Sequence, residues 1–417
     1  MPLDAQPRTV IVYSRVKPHP TGSGAQVRVY TTVRAYLDLG SDVELVWLHP
    51  RKADLSAPQG LEVRFTPVEA QPASPSAWTR MLYRLGLSKQ ATLDVLFQFC
   101  RQTRREIQRR EQNAPGVLHH IEYLDLACAA VGLPRGRFIW SNHDFDSERF
   151  GRIQEMRREA GKTKKKETRQ SLQYKRMQQA ERWTADACDL VLTIAEHETE
   201  IYRRLWGGDN IHLLPMSWPV ETPVTRARAW MQDGKLRLFH LGSVNSMVPF
   251  SSMRFILEEV FPKIPPHVME RVELWVAGDN AEGPYSRQIF QLAPRWPQVR
   301  FLGFVNDIEP LLAQVDLQVV GSQFASGLRT RIIESFARGV PVLSTDVAAQ
   351  GVVGMRHGAN ILLAADARQF AEEIINLFAN PERLESLSRN AMAAYRQHYA
   401  RDVEAGVLKE LLDRYCS

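Results

Sequence analysis

The sequence has 417 residues, of which 44% are hydrophobic and 24% are charged, with a formal net charge of +6. A chain of this length is expected to form two or three domains. Its composition is that of an ordinary globular protein and excludes both disordered and fibrous classes. It has no run of about 18 apolar residues and no signal-peptide pattern, so the sequence predicts neither a membrane-spanning helix nor secretion.

The four cysteines are scattered along the chain without a C-x-x-C pair: Cys100, Cys128, Cys188 and Cys416. This spacing argues against a disulfide framework and against a zinc knuckle, and it suits the reducing cytosol. The sequence therefore predicts a cytoplasmic protein.

Short β-rich runs alternate with helical stretches through the first half of the chain. A buried strand, RTVIVYSRV, precedes a glycine-containing loop and a predicted helix over residues 25–39. The further predicted strands are DVELVWLHP, EVRFTPV, GVLHHI, RFIWSNHD, LVLTIA and NIHLLP. Strands that alternate with helices predict a parallel sheet that is covered on both faces.

The second half repeats this pattern after SWPVETPVTRARAWMQDGK, residues 217–235, which we interpret as a linker because it has two prolines and no clear period. The predicted strands that follow are LRLFHLGS, VELWVAGD, VRFLGFV, DLQVVGS, PVLSTD and ANILLAA, and the end of the chain is predicted to be helical. The sequence therefore predicts an α/β fold with two Rossmann-like doubly wound domains that face each other across a cleft, where ligands bind at the strand ends.

The stretch SGLRTRIIESFARG, residues 326–339, places two arginines where a helix begins. A helix that starts at Leu328 turns its apolar residues toward the sheet and its polar residues, Glu334 and Arg338 among them, toward solvent. Cations at a helix N-terminus are unfavourable by roughly 0.3–1 kcal/mol each, because the helix dipole is positive there.

A bound phosphate would remove this penalty for Arg329 and Arg331, and Ser326 and Gly327 just upstream would let it approach the backbone closely. The alternative is that Arg331 and Arg338 form solvated pairs with Glu334, which contribute a few tenths of a kcal/mol each.

This segment, with its continuation to VPVLSTDVAAQG, resembles the sugar-nucleotide segment of the family 4 glycosyltransferases of the GT-B fold. The usual family pattern is E-G-F-G-x-x-x-x-E-A-x-A-x-G-x-P-V. By this resemblance, Glu334 matches the second family glutamate, which binds the donor ribose. Ser326 stands at the first glutamate, so the carboxylate that the family uses at this position is missing.

The segment LRLFHLGSVNSM resembles the family's first strand and glycine turn of the donor domain, where Gly242 and Ser243 match. Most members carry an Arg and a Lys here for the diphosphate, whereas this chain has Ser243 and Val248 in that region. We infer that Arg329 and Arg331 supply the missing positive charge. VRFLGFV resembles the loop that cradles the base, which places Val305 in the donor site.

The segment PHPTGSGAQVRVYTTVRAYLDLGSDVELV resembles the family's first glycine loop, helix and second strand. The resemblance implies that Gly22 and Gly24 face the cleft from the acceptor side; an ordinary glycine-rich turn is the alternative. His143, after the strand RFIWSN, matches a histidine that contacts the donor sugar in this family. The alternative for His143 is a hydrogen-bonded histidine at a strand end.

The resemblance also implies a domain organisation. An acceptor domain is expected over residues 1–218 and a nucleotide-sugar donor domain over residues 219–395. A terminal helix, 396–417, is expected to pack back on the first domain.

The implied activity is transfer of a hexose from a nucleotide-diphosphate sugar to a glycan, glycolipid or lipid-linked acceptor in polysaccharide biosynthesis, with retention of configuration. No cofactor and no metal are implied, and the nucleotide sugar is a substrate. His143, Glu334 and Arg329 are the implied catalytic residues, in a dry cleft that stabilises the leaving diphosphate. Two alternatives stay open: a sugar-nucleotide epimerase, and a catalytically degenerate GT-B scaffold, which the serine at 326 favours.

Two further motifs resemble metal sites, but we interpret both as non-metal features. Asp144-Phe145-Asp146 forms a D-x-D, which holds Mn²⁺ in transferases of the other main fold, but it lies in the presumed acceptor half. We interpret it as a coincidence or as a helix cap. His119 and His120 are interpreted as packing and acceptor-side lining, since no third metal ligand has suitable spacing.

Residues 151–182 hold eleven Lys or Arg and four Glu, so the rest of the chain is close to neutral. Such a run forms a solvated helix face, contacts an anionic membrane surface that presents a lipid-linked acceptor, or binds nucleic acid. No nucleic-acid motif accompanies it, so we expect no nucleic-acid partner. A peripheral position at the inner membrane face is the sharper hypothesis. A second segment either adds an apolar docking patch for the membrane or belongs to the protein core; its residues are Trp78, Met81, Leu82, Tyr83, Leu85 and Leu87.

Overall fold

The computed structural model describes residues 8–134, 137–144, 146–151, 167–279, 281–323 and 327–416. The chain divides into two compact units. The N-terminal unit comprises Met1–Pro219 and Arg401–Ser417, and the C-terminal unit comprises Val220–Ala400. Within the described residues, no helix combines the length and the apolar character that crossing a bilayer requires.

The N-terminal unit contains a parallel seven-stranded sheet in the order β3-β2-β1-β4-β5-β6-β7. Alternate residues of β1 enter different apolar clusters: Val10 and Val12 belong to one, Ile11 and Tyr13 to the other. Both faces of the sheet are therefore covered, as predicted. The strands are β1 (Thr9–Ser14), β2 (Asp42–His49), β3 (Arg64–Glu69), β4 (Leu118–Glu122), β5 (Arg137–Asn142), β6 (Leu190–Thr193) and β7 (Ile211–Leu213).

In the described residues, the helices numbered α1 to α7 connect these strands. Residues 146–151 form a further short helical segment, which is not numbered. A short 3₁₀ turn, Cys128–Ala130, follows the fifth. The helices are α1 (Gly24–Asp38), α2 (Ala77–Leu85), α3 (Lys89–Leu96), α4 (Cys100–Asn113), α5 (Leu124–Ala127), α6 (Glu167–Ala187) and α7 (Glu196–Trp206).

The C-terminal unit contains a parallel six-stranded sheet in the order β10-β9-β8-β11-β12-β13. In both sheets the strand order reverses direction beside the first strand, which is the position where doubly wound sheets bind ligands. The predicted α/β class with two Rossmann-like domains is confirmed. The strands are β8 (Leu236–Leu241), β9 (Val272–Ala277), β10 (Val299–Gly303), β11 (Leu317–Val320), β12 (Val342–Thr345) and β13 (Leu362–Ala364).

The helices of this unit continue the numbering, and a π-helical turn, Ile256–Val260, prolongs the first of them. Two 3₁₀ turns, Phe261–Lys263 and Ala293–Arg295, complete the connections. The helices are α8 (Met247–Phe255), α9 (Pro266–Met269), α10 (Pro284–Leu292), α11 (Glu309–Leu312), α12 (Thr330–Arg338), α13 (Asp346–Ala349), α14 (Ala367–Ala379) and α15 (Glu382–His398).

The last helix, α16 (Arg401–Tyr415), belongs to the N-terminal unit and packs on α1. A buried ion pair joins the two helices, with Arg28 Nη1 3.3 Å from Glu404 Oε1. The other carboxylate oxygen of Glu404 accepts hydrogen bonds from the backbone N–H and the hydroxyl of Ser217, at 2.9 and 2.6 Å. The end of the chain is therefore fixed to the first domain by charged groups inside it.

The stretch predicted to be a linker contains the boundary between the two units, at Pro219 and Val220, and parts of it pack against the units that it joins. Ser217 and Trp218 are buried in the N-terminal unit. Further along, Arg226 and Arg228 both form ion pairs with the buried Asp316, at 3.2 and 3.0 Å. The segment has no helical or strand period because its backbone is irregular. Side-chain contacts nevertheless hold it in place.

Candidate functional site

The backbone of the C-terminal unit comes unusually close at the carboxyl ends of β8 and β9. Gly242 follows β8 with φ of 140°, and Gly278 follows β9 with φ of 151°. A β-carbon at Gly278 would lie 2.4 Å from the carbonyl carbon of Gly242, so only glycine fits there. Ser243 continues the turn, and its carbonyl accepts a hydrogen bond of 2.9 Å from the N–H of Ser246, which precedes α8.

Helix α12 begins at Thr330, two residues later than the sequence suggests. Gly327 has φ of 62°, which directs the chain into a turn, and Arg329 is the N-cap with φ of −79° and ψ of 83°. Leu328 is buried ahead of the helix rather than in its first turn. Ser326 lies outside the described residues, so its role at the donor site stays a prediction.

The two faces of α12 only partly follow the prediction. Ile332, Ile333, Phe336 and Ala337 are buried, as predicted. Arg338 was assigned to the solvated face, but it is buried. It pairs with Glu309 of α11. The proposed solvated pair of Arg338 with Glu334 is therefore wrong.

Arg331 lies against the glycine turn. A β-carbon at Gly242 would be 3.0 Å from both terminal nitrogens of this guanidinium. Among the described residues, Arg331 forms neither an ion pair within 4.0 Å nor a side-chain hydrogen bond. Burial, and then the charge of Arg329, lower the pKa of Arg331 to about 10, so it is a cation at neutral pH. A partly buried cation beside a second one favours a bound anion.

His240 lies beneath this turn in β8 and is fully buried. Burial, and then the charge of Arg331, lower the pKa of His240 to about 3, so the ring is neutral. It therefore adds no positive charge beside Arg331, and the arginines alone supply the charge that attracts an anion at this turn.

Glu334 lies one helical turn after Arg331 and is partly buried. Burial raises the pKa of Glu334 to about 7, against the opposing effect of Arg331 and Arg338. Its carboxyl group is thus poised between a hydrogen-bond donor and an acceptor at neutral pH, and it is close in sequence to the cation that would bind an anion.

Val305 follows β10, at the same carboxyl edge of the sheet but two strands away from β8. Val305 is partly buried among apolar neighbours, whereas the preceding Phe304 is 73% exposed. An exposed aromatic ring at this edge offers a flat apolar surface. Phe304 was not singled out by the sequence, in which it is one aromatic residue of an ordinary strand end.

The glycine loop of the N-terminal unit lies at the carboxyl end of β1. Gly24 is the first residue of α1, and a β-carbon at Gly22 would be 2.6 Å from Oε1 of Gln26. That oxygen accepts a hydrogen bond of 3.0 Å from the N–H of Ser23, the helix N-cap. Gly22 and Gly24 therefore flank the N-cap of α1; their role toward an acceptor stays a prediction.

His143 follows β5 at the carboxyl edge of the N-terminal sheet and is held by a buried carboxylate. Its Nε2 bonds to Oε2 of Glu122, the last residue of β4. The other oxygen of Glu122 is 3.3 Å from Nε2 of His120. Burial alone would raise the pKa of Glu122, but His143 and His120 hold it below its usual range. Glu122 is thus a carboxylate that holds the ring of His143 and lies close to the ring of His120.

Tyr123 completes this cluster. Its ring stacks on His143 with a centroid distance of 4.0 Å, and its φ is 71°. A tyrosine in the left-handed region costs of order 1–3 kcal/mol, and such strain is concentrated at functional sites. Sequence reasoning missed both Glu122 and Tyr123; the glutamate at the end of an apolar strand was the signal that could have identified the first.

The other predicted polar motifs are structural. His119 bonds to Tyr13 at 2.9 Å and to Glu111 at 2.8 Å, and His120 bonds to Tyr36 at 2.8 Å. Both rings are fully buried, so the packing interpretation is confirmed and the lining interpretation is wrong.

The D-x-D motif does not present two free carboxylates. Asp144 pairs with Arg149 at 3.1 Å, and burial raises the pKa of Asp146 to about 7. Phe145 lies outside the described residues. In the part of the chain that the structure describes, no three His, Cys, Asp or Glu side chains are grouped to hold a metal ion.

Comparison with known sequences places both halves of the chain in one family. The model described as Glycosyltransferase Family 4 matches residues 22–217, and the model described as Glycosyl transferases group 1 matches residues 236–380. A curated relative, the lipopolysaccharide core biosynthesis glycosyltransferase LpsE of Rhizobium meliloti, is 36% identical over 112 residues. This match covers 26% of the chain and 32% of that relative, so the chain spans about a third of the relative's length.

Solved structures with the same fold cover nearly the whole chain. Sucrose-phosphate synthase from Thermosynechococcus elongatus has a TM-score of 0.69 at 16% identity over 98% of each chain. HepE of Anabaena, solved in complex with UDP and glucose, has a TM-score of 0.65 at 15% identity over 97% of this chain and 99% of that one. The chain is therefore a family 4, group 1 glycosyltransferase with the two-domain GT-B fold.

Proposed function

We propose that this glycosyltransferase moves a hexose from a nucleotide-diphosphate sugar to a glycan, glycolipid or lipid-linked acceptor, with retention of configuration and without a metal ion. The observation that carries the proposal is the position of Arg331. Its guanidinium contacts the Gly242 turn, beside Arg329 and at the start of α12. A diphosphate fits the charge and the backbone groups of this edge.

The donor site follows from this anchor. The diphosphate binds beside the Gly242–Ser243 turn and the arginines that lie against it, Glu334 accepts hydrogen bonds from the ribose, and the base extends toward Val305 and the exposed ring of Phe304. HepE of Anabaena, which shares the fold, was solved with UDP and glucose bound, and this supports a nucleotide sugar as the donor here.

The proposed reaction exchanges one bond at the anomeric carbon. The acceptor hydroxyl oxygen forms a bond to this carbon on the face from which the phosphate departs, and the bond from the carbon to the phosphate oxygen breaks. The hydroxyl proton passes to the departing phosphate, and the products are a glycoside and a nucleoside diphosphate. This route requires no enzymatic nucleophile, so Ser326 does not prevent it. Arg329 and Arg331 stabilise the charge that develops on the leaving group.

His143 is proposed to contact the donor sugar. Glu122 and Tyr123 hold its ring from two sides, so the imidazole is preorganised for that contact. The Gly22–Gly24 loop is proposed to line the acceptor side of the same sheet edge.

We infer that the acceptor binds in a pocket of about 940 Å³ at the carboxyl ends of β1, β2 and β3. Its walls combine two cations, Arg15 and Arg51, with the apolar Val16, Leu48 and Phe99. The volume suits a small-molecule ligand. Mixed apolar and cationic walls favour an acceptor that has both a sugar or lipid part and an acidic group.

The reaction is tested with purified protein, a panel of nucleotide sugars and octyl glucoside as a glycolipid acceptor. We expect one donor to release its nucleoside diphosphate with formation of a new glycoside, unaffected by EDTA, and NMR to find the anomeric configuration of the donor in the product. An inverted product would contradict retention. Nucleotide binding without any release would favour a degenerate scaffold, and conversion of the donor without an acceptor would favour an epimerase.

A further inference from the structure

We propose that α2 and the turn that follows it bind an anionic lipid surface, which brings the enzyme to a membrane. The proposal goes beyond glycosyl transfer and rests on the proposed function only for its purpose, the capture of a lipid-linked acceptor. The binding itself requires neither donor nor acceptor.

The first observation is an exposed apolar stripe on α2. Trp78, Met81 and Leu85 lie on one face of the helix at spacings of three and four residues. They are 64%, 39% and 60% exposed, and Leu87 in the turn is 69% exposed. Helix α2 contains no buried residue. The alternative assignment of this segment to the core is therefore wrong for these four side chains.

This exposure is concentrated. The described residues include eleven exposed large hydrophobic side chains, and four of them fall within the ten residues 78–87. Exposed apolar residues that are scattered singly require no explanation, whereas a contiguous group marks a contact surface. A tryptophan at the start of such a stripe is typical of helices that lie in a membrane interface.

The second observation is the charge around the stripe. Residues 70–93 contain Arg80, Arg84 and Lys89 and no Asp or Glu. Arg176 of α6 adds a further cation, because a β-carbon at Gly86 would lie 2.1 Å from its Nη2. An apolar face that binds only another protein does not require an excess of Lys and Arg around it. An anionic lipid surface attracts these cations, and the apolar side chains insert below its headgroups.

The third observation is the distance along the chain to the acceptor pocket. Ala70, Gln71 and Pro72 line the pocket, and α2 begins five residues after Pro72. Five residues span at most about 18 Å. A lipid surface in contact with α2 would thus lie close to the pocket mouth, where a lipid-linked acceptor must enter.

The test is co-sedimentation with vesicles of phosphatidylcholine alone and of phosphatidylcholine mixed with phosphatidylglycerol, without nucleotide. We expect the protein to bind the mixed vesicles, and to bind them less well as salt rises. Leu85→Ser should lower the partition coefficient about tenfold or more, and Arg84→Gln about fivefold. The controls are Leu205→Ser and Arg204→Gln, two exposed changes on α7, which should leave it unchanged.

Three outcomes would overturn the proposal. The wild type could fail to bind mixed vesicles at low salt. The α2 variants could bind as well as the wild type. Sedimentation velocity could find a dimer that Leu85→Ser dissociates while vesicle binding is absent, which would assign the stripe to a second copy of the chain. Because no sugar transfer is measured, failure here leaves the proposed reaction standing, and failure of the reaction leaves this test intact.

Discussion

Gly242 permits the arrangement of the proposed donor site because it has no side chain. Its φ of 140° is unfavourable for any other residue, and a β-carbon would lie 2.9 Å from Cγ of Pro249 and 3.0 Å from the guanidinium of Arg331. We expect Gly242→Ala to displace Arg331 and to weaken nucleotide binding at least about tenfold, the loss of roughly one charge-assisted contact. Isothermal calorimetry measures this loss.

The matched control for this change is Gly358→Ala. Gly358 also has a positive φ, of 73°, but its β-carbon would meet no atom within 4 Å. It should lose stability by of order 1–3 kcal/mol through backbone strain and keep its nucleotide affinity. Equal affinity losses in both variants would mean that strain, not the position of Arg331, explains the effect.

Glu122 is predicted to position His143 rather than to take part in the reaction itself. Glu122→Gln keeps the shape of the side chain but removes the charge that two imidazoles contact. The lost charged hydrogen bond of roughly 1.5–3 kcal/mol predicts that kcat falls about 10- to 100-fold, with nucleotide affinity unchanged. Steady-state kinetics and calorimetry on the same variant separate the two quantities.

Glu111→Gln is the matched control, since Glu111 also bonds a buried histidine, His119, outside the proposed site. It should keep its kcat while losing some stability. If both variants lose activity alike, Glu122 acts only through the stability of the sheet.

At the scale of residues, local rules in the sequence were sufficient to single out part of the candidate site. Two glycines at strand ends and two arginines before a helix are recognisable patterns, and the structure brings Gly242 and Arg331 into contact. Glu122 and His143 are 21 residues apart and meet only because β4 and β5 are neighbours. Without the strand order, no spacing in the sequence indicates that pair.

At the scale of elements, α16 is expected to depend on one buried carboxylate. Glu404→Ala would leave Arg28 buried without its ionic partner, which costs about 3–5 kcal/mol. We therefore expect the N-terminal unit to unfold at a clearly lower urea concentration. Replacing both residues, Arg28→Met with Glu404→Leu, should recover much of the loss, because burying an unpaired charge is the larger penalty.

Glu410→Ala tests whether any change in α16 has this effect. Glu410 lies on the exposed side of the same helix, so its replacement should shift the urea midpoint little. A similar shift for both variants would contradict the assignment of the stabilisation to the Arg28–Glu404 pair.

The elements themselves were largely predictable, because buried β-rich runs and helical periods alternate so regularly. Three features were not. The buried face of α12 is wider than its apolar stripe, since Arg338 is also buried and pairs with Glu309. The stretch 217–235 has no period, yet Arg226 and Arg228 fix it on Asp316. The exposed stripe of α2 has the pattern of a buried helix, and only the structure shows that no element covers it within the described residues.

At the scale of the whole molecule, buried carboxyl groups are expected to make stability fall as pH rises. Burial raises the pKa of Glu181 to about 8, with hydrogen bonds from Ser147 opposing and the charges of Asp146 and Glu148 adding to it. The unfolded chain loses this proton near the model-peptide value of about 4.3, so between there and about pH 8 the native state alone retains it. The contribution of Glu181 to the free energy of unfolding is fully present below about pH 4.3. It falls by about 1.4 kcal/mol for each pH unit as the pH rises from there to about 8.

Glu181→Gln should remove this contribution. Its stability relative to the wild type is expected to rise from pH 5 to pH 8, as measured by urea unfolding at each pH, while the exposed Glu200→Gln serves as the control. A difference between Glu181→Gln and the wild type that does not change with pH would contradict a protonated Glu181 in the native state.

The measurement that tests the central claim most directly is calorimetric titration of UDP, GDP, dTDP, CDP and ADP into the wild type, Arg331→Ala and the exposed Arg389→Ala. We expect one nucleotide to bind tightly. Arg331→Ala should weaken it by about 1.5–3 kcal/mol, roughly 10- to 100-fold, and Arg389→Ala should leave it unchanged. Absence of binding by all five nucleotides, or equal affinity in wild type and Arg331→Ala, would contradict the assignment of the donor site.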